Sequence, residues 1–160
     1  RGDGRALRLK AARVSAFVQR IAALLAGLWA GVLLCVGLIA APTAFATQTR
    51  ADAGRYVGRL FAQEAYLSIA LAVLLYVIAR RMSREAAAQG RGSIVSPEVL
   101  LVFGSLFCTV LGYFALQPMI EAARAGQGTW SFATLHGASL GLFALKTLLV
   151  VSLAWRLTRR

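Results

Sequence analysis

The chain alternates between long apolar runs and short polar intervals rich in arginine. Four runs stand out, at 21-42, 60-79, 98-120 and 132-155, none shorter than 20 residues. A helix of about 20 apolar residues crosses the roughly 30 Å hydrocarbon core of a bilayer. Glu64, His136 and Lys146 are the ionisable exceptions inside this pattern, with Glu98 at the very start of the third run. The prediction is an all-α integral membrane four-helix bundle in one domain, 21-156. A basic leader, 1-20, precedes it and a basic tail, 157-160, follows.

The intervals predict where the helices start and stop. The leader interleaves Arg5, Arg8, Lys10, Arg13 and Arg20 with apolar residues, the pattern of a helix lying on head groups. The first run, closed by Ala44-Phe45-Ala46, imitates a signal peptide, yet it exceeds the usual apolar region of about 7–15 residues and reads as a retained span. The polar stretch 43-59 has room for a short interfacial helix. Gly90 and Gly92 loosen the middle loop. Ser96-Pro97-Glu98 opens a helix, with a capping hydroxyl, a proline at the first position and an acid in the first turn. Gln117-Pro118 falls where a proline bends or ends a helix at little cost. Gly27 with Gly31, Gly137 with Gly141, and Gly104, Cys108 and Gly112 repeat a four-residue spacing that lets helix backbones approach closely.

Composition sharpens this reading. Hydrophobic residues make up 59% of the 160 residues, against about 45–50% in soluble domains, and mean hydropathy is +0.68. The net charge of +12 raises the question of nucleic acid, but the basic residues cluster between apolar runs, where membrane proteins keep them. The partners this implies are the bilayer and its anionic lipid head groups, not nucleic acid. The leader, middle loop and tail hold 13 Lys and Arg residues, and the other two loops hold 4. The positive-inside rule then puts both termini in the cytoplasm, N-in/C-in, in a bacterial-type inner membrane. Trp130 and Trp155 fall at opposite interfaces. The two cysteines, Cys35 and Cys108, lie in apolar runs and form no disulfide framework.

On this topology Glu64, Gln117, Met119, His136 and Ser139 reach one outer layer. Ionisable groups in a span are costly and face the bundle interior, so Glu64 and His136 are expected to pair, as a ligand site or as a staple between helices. His136, Met119 and Glu64 are competent metal ligands, for copper among others, and His136 with Met119 is a haem-ligand combination. No His-x-x-x-His, Cys-x-x-Cys or methionine-rich tract supports a metal. Lys146 lies ten residues past His136, hence about 15 Å deeper. It shares a helix stripe with Ser139. No acid is expected at its depth. Its alternatives are snorkelling, the hydroxyls of Ser105, Thr109, Tyr113 or Tyr76, an anionic ligand, or a partner's acid. No hydrolase triad or phosphate loop is present.

Ala41-Pro42, Glu64-Ala65-Tyr66, Gln117-Pro118-Met119 and Leu135-His136-Gly137-x-Ser139 occur in that order. In this the chain resembles the transmembrane protein 205-like family, also called domain of unknown function 4149, over roughly 22-156. The resemblance implies a four-helix membrane protein without an assigned reaction. It also implies distant similarity to copper resistance protein D-like proteins and to membrane haem-dependent protoporphyrinogen oxidase, and marks Glu64, Gln117, Pro118, His136 and Ser139. Family members often carry an asparagine about one turn past the serine, where this chain has Phe143. The function expected is non-enzymatic: an outer-side polar cluster of Glu64, Gln117, His136, Ser139 and Lys146 that binds a small ligand or metal ion, or docks a partner subunit. The alternatives are a haem-binding redox protein and an accessory packing subunit, in a homo-oligomer or a larger complex.

Overall fold

The computed structural model describes residues 3–90, 93 and 95–159, with side chains from residue 13 onward. Helix α1 (Asp3–Cys35) runs through a π-helical turn, Val36–Ala40, into α2 (Ala41–Thr47). Helix α3 (Arg50–Ala88) returns. Helix α4 (Pro97–Thr109) passes through a second π turn, Val110–Ala115, into α5 (Leu116–Arg124), and α6 (Phe132–Thr158) completes the chain. No strand occurs among the described residues. Four rods result, each long and apolar enough to cross a membrane. The molecule is an all-helical, multi-pass membrane protein.

The rods outrun the apolar runs, and this has a physical cause. Hydropathy marks where a helix meets lipid, whereas caps mark where it begins. Thr49 caps α3 by accepting from the Asp52 amide at 3.2 Å, and Asp52 supplies the first-turn acid. The helix therefore starts at Arg50, ten residues before the apolar run, and no separate interfacial helix fills 43-59. Ser96 caps α4 as expected, with Pro97 at its first position and Glu98 in its first turn. Ser131 caps α6 by accepting from the Thr134 amide at 3.1 Å.

Pro42 and Pro118 continue helices instead of ending them, so the first rod runs past residue 42, where the first apolar run closes. A proline ring lacks an N–H and crowds the carbonyl four residues back. For Pro42 that carbonyl belongs to Leu38, and for Pro118 to Phe114. Each lies inside one of the two π turns. The widened turns take up the clash and let the rods run on.

In cross-section the rods form a square. Helix α6 packs on α1 and α4, and α3 packs on the same two. Helices α3 and α6 therefore face each other across the diagonal. Trp29, Leu33, Leu75, Val102, Val150 and Leu153 fill the core. Leu24, Leu28, Phe103, Phe107 and Leu148 point outward, as suits a surface solvated by acyl chains. At the end where α1 starts and α6 finishes, Arg156 reaches the buried Glu98 at 2.9 Å. Ser83 donates to Ser96 at 2.8 Å, and Gln19 donates to the Leu157 carbonyl at 3.4 Å.

The four-residue glycine spacing does not have the single meaning expected. A Cβ added at Gly27, Gly31, Gly137 or Gly141 would meet nothing within 4 Å, so these glycines make no close helix approach within the chain. Close approach occurs at Gly104, where a Cβ would lie 3.1 Å from Leu149 Cδ1, and at Gly37, where it would lie 2.8 Å from the Phe143 ring. Trp130 and Trp155 stand exposed at opposite ends of α6. Gly90 turns the chain after α3 with φ of +68°. The leader's apolar face before residue 13, and Arg91, Gly92 and Arg160, lie outside the described residues.

Candidate functional site

The diagonal between α3 and α6 is bridged at mid-height by one ion pair. Lys146 Nζ donates to both carboxylate oxygens of Glu64, at 2.8 Å each. Both side chains are buried. Ser68, one turn along α3, donates to the same carboxylate. The indole N–H of Trp29, on α1, donates to Ser68 at 2.8 Å. Three helices thus hold one buried polar chain: Trp29, Ser68, Glu64, Lys146. The Lys146 ammonium also lies 5.2 Å from the centre of the Phe143 ring.

This arrangement overturns two expectations. Glu64 was expected in the outer layer, paired with His136, and Lys146 was expected to lack an acid at its depth. The early start of α3 explains the difference. Glu64 is 14 residues past Arg50 and Lys146 is 14 residues past Phe132, on helices that start at the same end of the bundle. Both therefore sit about 21 Å down their rods at 1.5 Å per residue. Three of the four hydroxyls proposed for Lys146 are engaged elsewhere, and the fourth, Tyr113, lines the same space as Lys146 without a hydrogen bond to it. Ser105 and Thr109 donate to the carbonyls of Leu101 and Ser105, at 2.8 and 2.9 Å. Tyr76 accepts from Arg80 at 2.8 Å.

The ion pair is not sealed in packing. It lines a chamber of about 140 Å³ inside the bundle, the share of four or five waters at roughly 30 Å³ each. Phe61, Phe143, Tyr113 and Leu140 form aromatic and apolar walls, with Cys108 and Thr109 on α4. Phe61 meets Phe143 edge to face, 5.2 Å between ring centres. Toward the connections α2–α3 and α5–α6 the chamber meets a wider vestibule of about 810 Å³. Phe45, Gly54, Gly58, Tyr113, Gln117, Arg124 and His136 line both spaces and form the neck. A Cβ at Gly54 or Gly58 would stand in open space.

Five of the residues singled out from the sequence, Glu64, Gln117, His136, Ser139 and Lys146, line the chamber. Met119 lines neither space and is exposed on the outside of the bundle. His136 stacks on Phe132, ring centres 5.4 Å apart, and no hydrogen bond joins it to Glu64 among the described residues. Cys108, expected as a packing residue, is buried and also faces the chamber. Trp29 was not singled out from the sequence, although a buried indole needs an acceptor. Ser68 had a readable signal, since it lies one helical turn from Glu64.

The donor set does not suit a metal or a haem iron. Both Glu64 oxygens accept from Lys146, and Met119 is exposed and outside the lining of both spaces. Among the described residues no group of three or more His, Cys, Asp or Glu side chains gathers.

The architecture and its family agree. The family model described as Domain of unknown function (DUF4149) matches residues 24–129, more than half of the chain. The chain belongs to the DUF4149 family. No curated protein and no solved structure matches it. The matched region of this DUF4149 protein carries Trp29, Glu64, Ser68 and Gln117, while α6, with His136, Ser139 and Lys146, follows it. The polar chain therefore joins matched helices to the last one.

Proposed function

We propose that this DUF4149 protein is a non-enzymatic ligand-binding protein of a bacterial-type inner membrane, with both termini in the cytoplasm and the vestibule facing outward. The ligand is a small polar molecule that enters through the neck and meets the ion pair. One observation carries this reading: the chamber is lined by polar groups with unused hydrogen-bonding capacity. Gln117, Ser139 and His136 make no protein hydrogen bond among the described residues. Lys146 has three donors and Glu64 occupies two. Ionisable groups deep in a membrane protein characteristically mark ligand or ion pathways. The chamber volume limits the inserted part to a few heavy atoms, well under the roughly 300–1,000 Å³ of drug-sized pockets.

The wider kinship with transmembrane protein 205-like and copper resistance protein D-like proteins belongs to this reading only as a similarity of motifs. A docking role for a second subunit, with the ion pair as a structural pin, is the competing reading, and Trp29 and Ser68 support it because they brace Glu64 from the side away from the neck.

Cys108 provides the test. With Cys35→Ala it is the remaining thiol, and it faces the chamber. In proteoliposomes a water-soluble methanethiosulfonate reagent is expected to label it, and Gly58→Leu is expected to block labelling by filling the neck. Native mass spectrometry of gently solubilised protein is expected to find a small molecule that a Gln117→Ala/His136→Ala variant releases. An inert Cys108 together with protein that carries no small molecule overturns the proposal. A subunit that co-purifies in its place favours the docking reading.

A further inference from the structure

The vestibule carries charge that the ion pair does not explain. Arg50, Arg55, Arg59 and Arg124 line it, with Glu121 as the single acid in its wall. Arg55 is neutralised by Asp52 at 2.5 Å. Arg50, Arg59 and Arg124 have no carboxylate partner among the described residues. Arg124 lies instead over the Phe132 ring at 5.1 Å, and Phe132 stacks on His136. The Phe132 ring thus contacts both the Arg124 guanidinium and the His136 imidazole at the edge of the neck. The wall therefore holds an excess of about two positive charges, three free arginines less Glu121, over an opening into a chamber whose own ion pair is neutral.

Cations at this end also run against the general distribution of the chain, in which basic residues concentrate at the other end. Guanidinium groups are planar forks that match the oxygen geometry of phosphate and carboxylate. Resting on the ligand-binding reading above, we infer that the vestibule recognises an oxyanion, a phosphate-bearing head group held by Arg50, Arg59 and Arg124, with His136 as a further hydrogen-bonding partner at the neck. The same chemistry is offered by an anionic lipid at the outer leaflet and by a free phosphate compound, and the two sources are separable by experiment.

The measurement is native mass spectrometry of the full chain released from nanodiscs of equal phosphatidylglycerol and phosphatidylcholine content, with and without inorganic phosphate in excess. Wild-type protein is expected to retain an anionic adduct. Arg59→Gln is expected to lower retention about fivefold, and Arg50→Gln/Arg59→Gln/Arg124→Gln at least tenfold, since each surface arginine near anionic lipid is worth roughly that factor. A control variant at the opposite end, Arg81→Gln/Arg84→Gln/Arg159→Gln, is expected to keep the adduct. Phosphatidylglycerol retained despite phosphate identifies the lipid; its displacement by phosphate identifies a free oxyanion. Either result supports the inference. Equal retention by the triple variant, equal loss in the control, or no preference in wild-type protein overturns it. Cys108 labelling is read without any anion, so an open chamber with an indifferent vestibule separates failure of this inference from failure of the ligand-binding proposal.

Discussion

Lys146 and Glu64 depend on each other at the level of single side chains. Removing one partner leaves the other charged or protonated in a medium that solvates neither, at a cost of about 3–5 kcal/mol for a broken buried pair. Lys146→Met is therefore expected to lower the unfolding midpoint sharply in a detergent-micelle thermal melt. Replacing both, Glu64→Leu/Lys146→Met, is expected to restore stability to the wild-type level or above, because well-packed apolar pairs often equal buried ion pairs. A double variant as unstable as the single one removes the coupling. Trp29→Phe deletes one neutral hydrogen bond and is expected to cost only about 0.5–1.5 kcal/mol in the same melt. The identity of these residues was largely legible: Glu64, Gln117, His136, Ser139 and Lys146 stood out as polar letters in apolar runs, and all five line the chamber. Their partnership was not. It depends on the depth of Glu64, and depth is counted from the helix start at Arg50, which only the Thr49 and Asp52 cap reveals.

Helix α3 and the first π turn supply different kinds of glycine, and the difference governs what substitution does. Gly54 and Gly58 sit within the first three turns of α3, and in a helix interior glycine costs about 0.8–1.0 kcal/mol relative to alanine. A Cβ there meets no neighbour and projects toward the neck. Gly54→Ala and Gly58→Ala are each expected to stabilise the fold by up to that amount and, together, to slow labelling of Cys108 severalfold. Gly37→Ala is expected to behave oppositely and destabilise, because its Cβ would press on the Phe143 ring, which leans on Phe61. Thermal melts and thiol-labelling rates read both effects. Four spans, their order and the cap of α4 were legible from apolar length and from Ser96-Pro97-Glu98. The glycine pattern was not, since a four-residue spacing of small residues suits a close helix contact and the wall of a void equally well. The neighbours, which belong to other helices, decide between them. The π turns were likewise hidden, although Pro42 and Pro118 mark where the widened turns had to form.

At the scale of the whole molecule, the meaning of the vestibule and chamber depends on which compartment the vestibule faces. The terminal end carries the Arg156–Glu98 and Ser83–Ser96 ties, while the vestibule lies at the other end, toward the connections α2–α3 and α5–α6. On the proposed reading a ligand enters from the vestibule's side. The charge bias of 13 Lys and Arg residues against 4 predicts that the terminal end is cytoplasmic. In a background with Cys35 and Cys108 replaced by alanine, a cysteine at Gln127 is expected to react with a membrane-impermeant maleimide on intact cells. A cysteine at Ser93 is expected to react only after permeabilisation. Both positions are exposed and lie outside the helices, so reactivity reports sidedness and not burial. The reverse pattern would turn the vestibule toward the cytoplasm, where Arg50, Arg59 and Arg124 would meet the inner leaflet and its anionic lipids. The phosphate source would then have to be sought on that side.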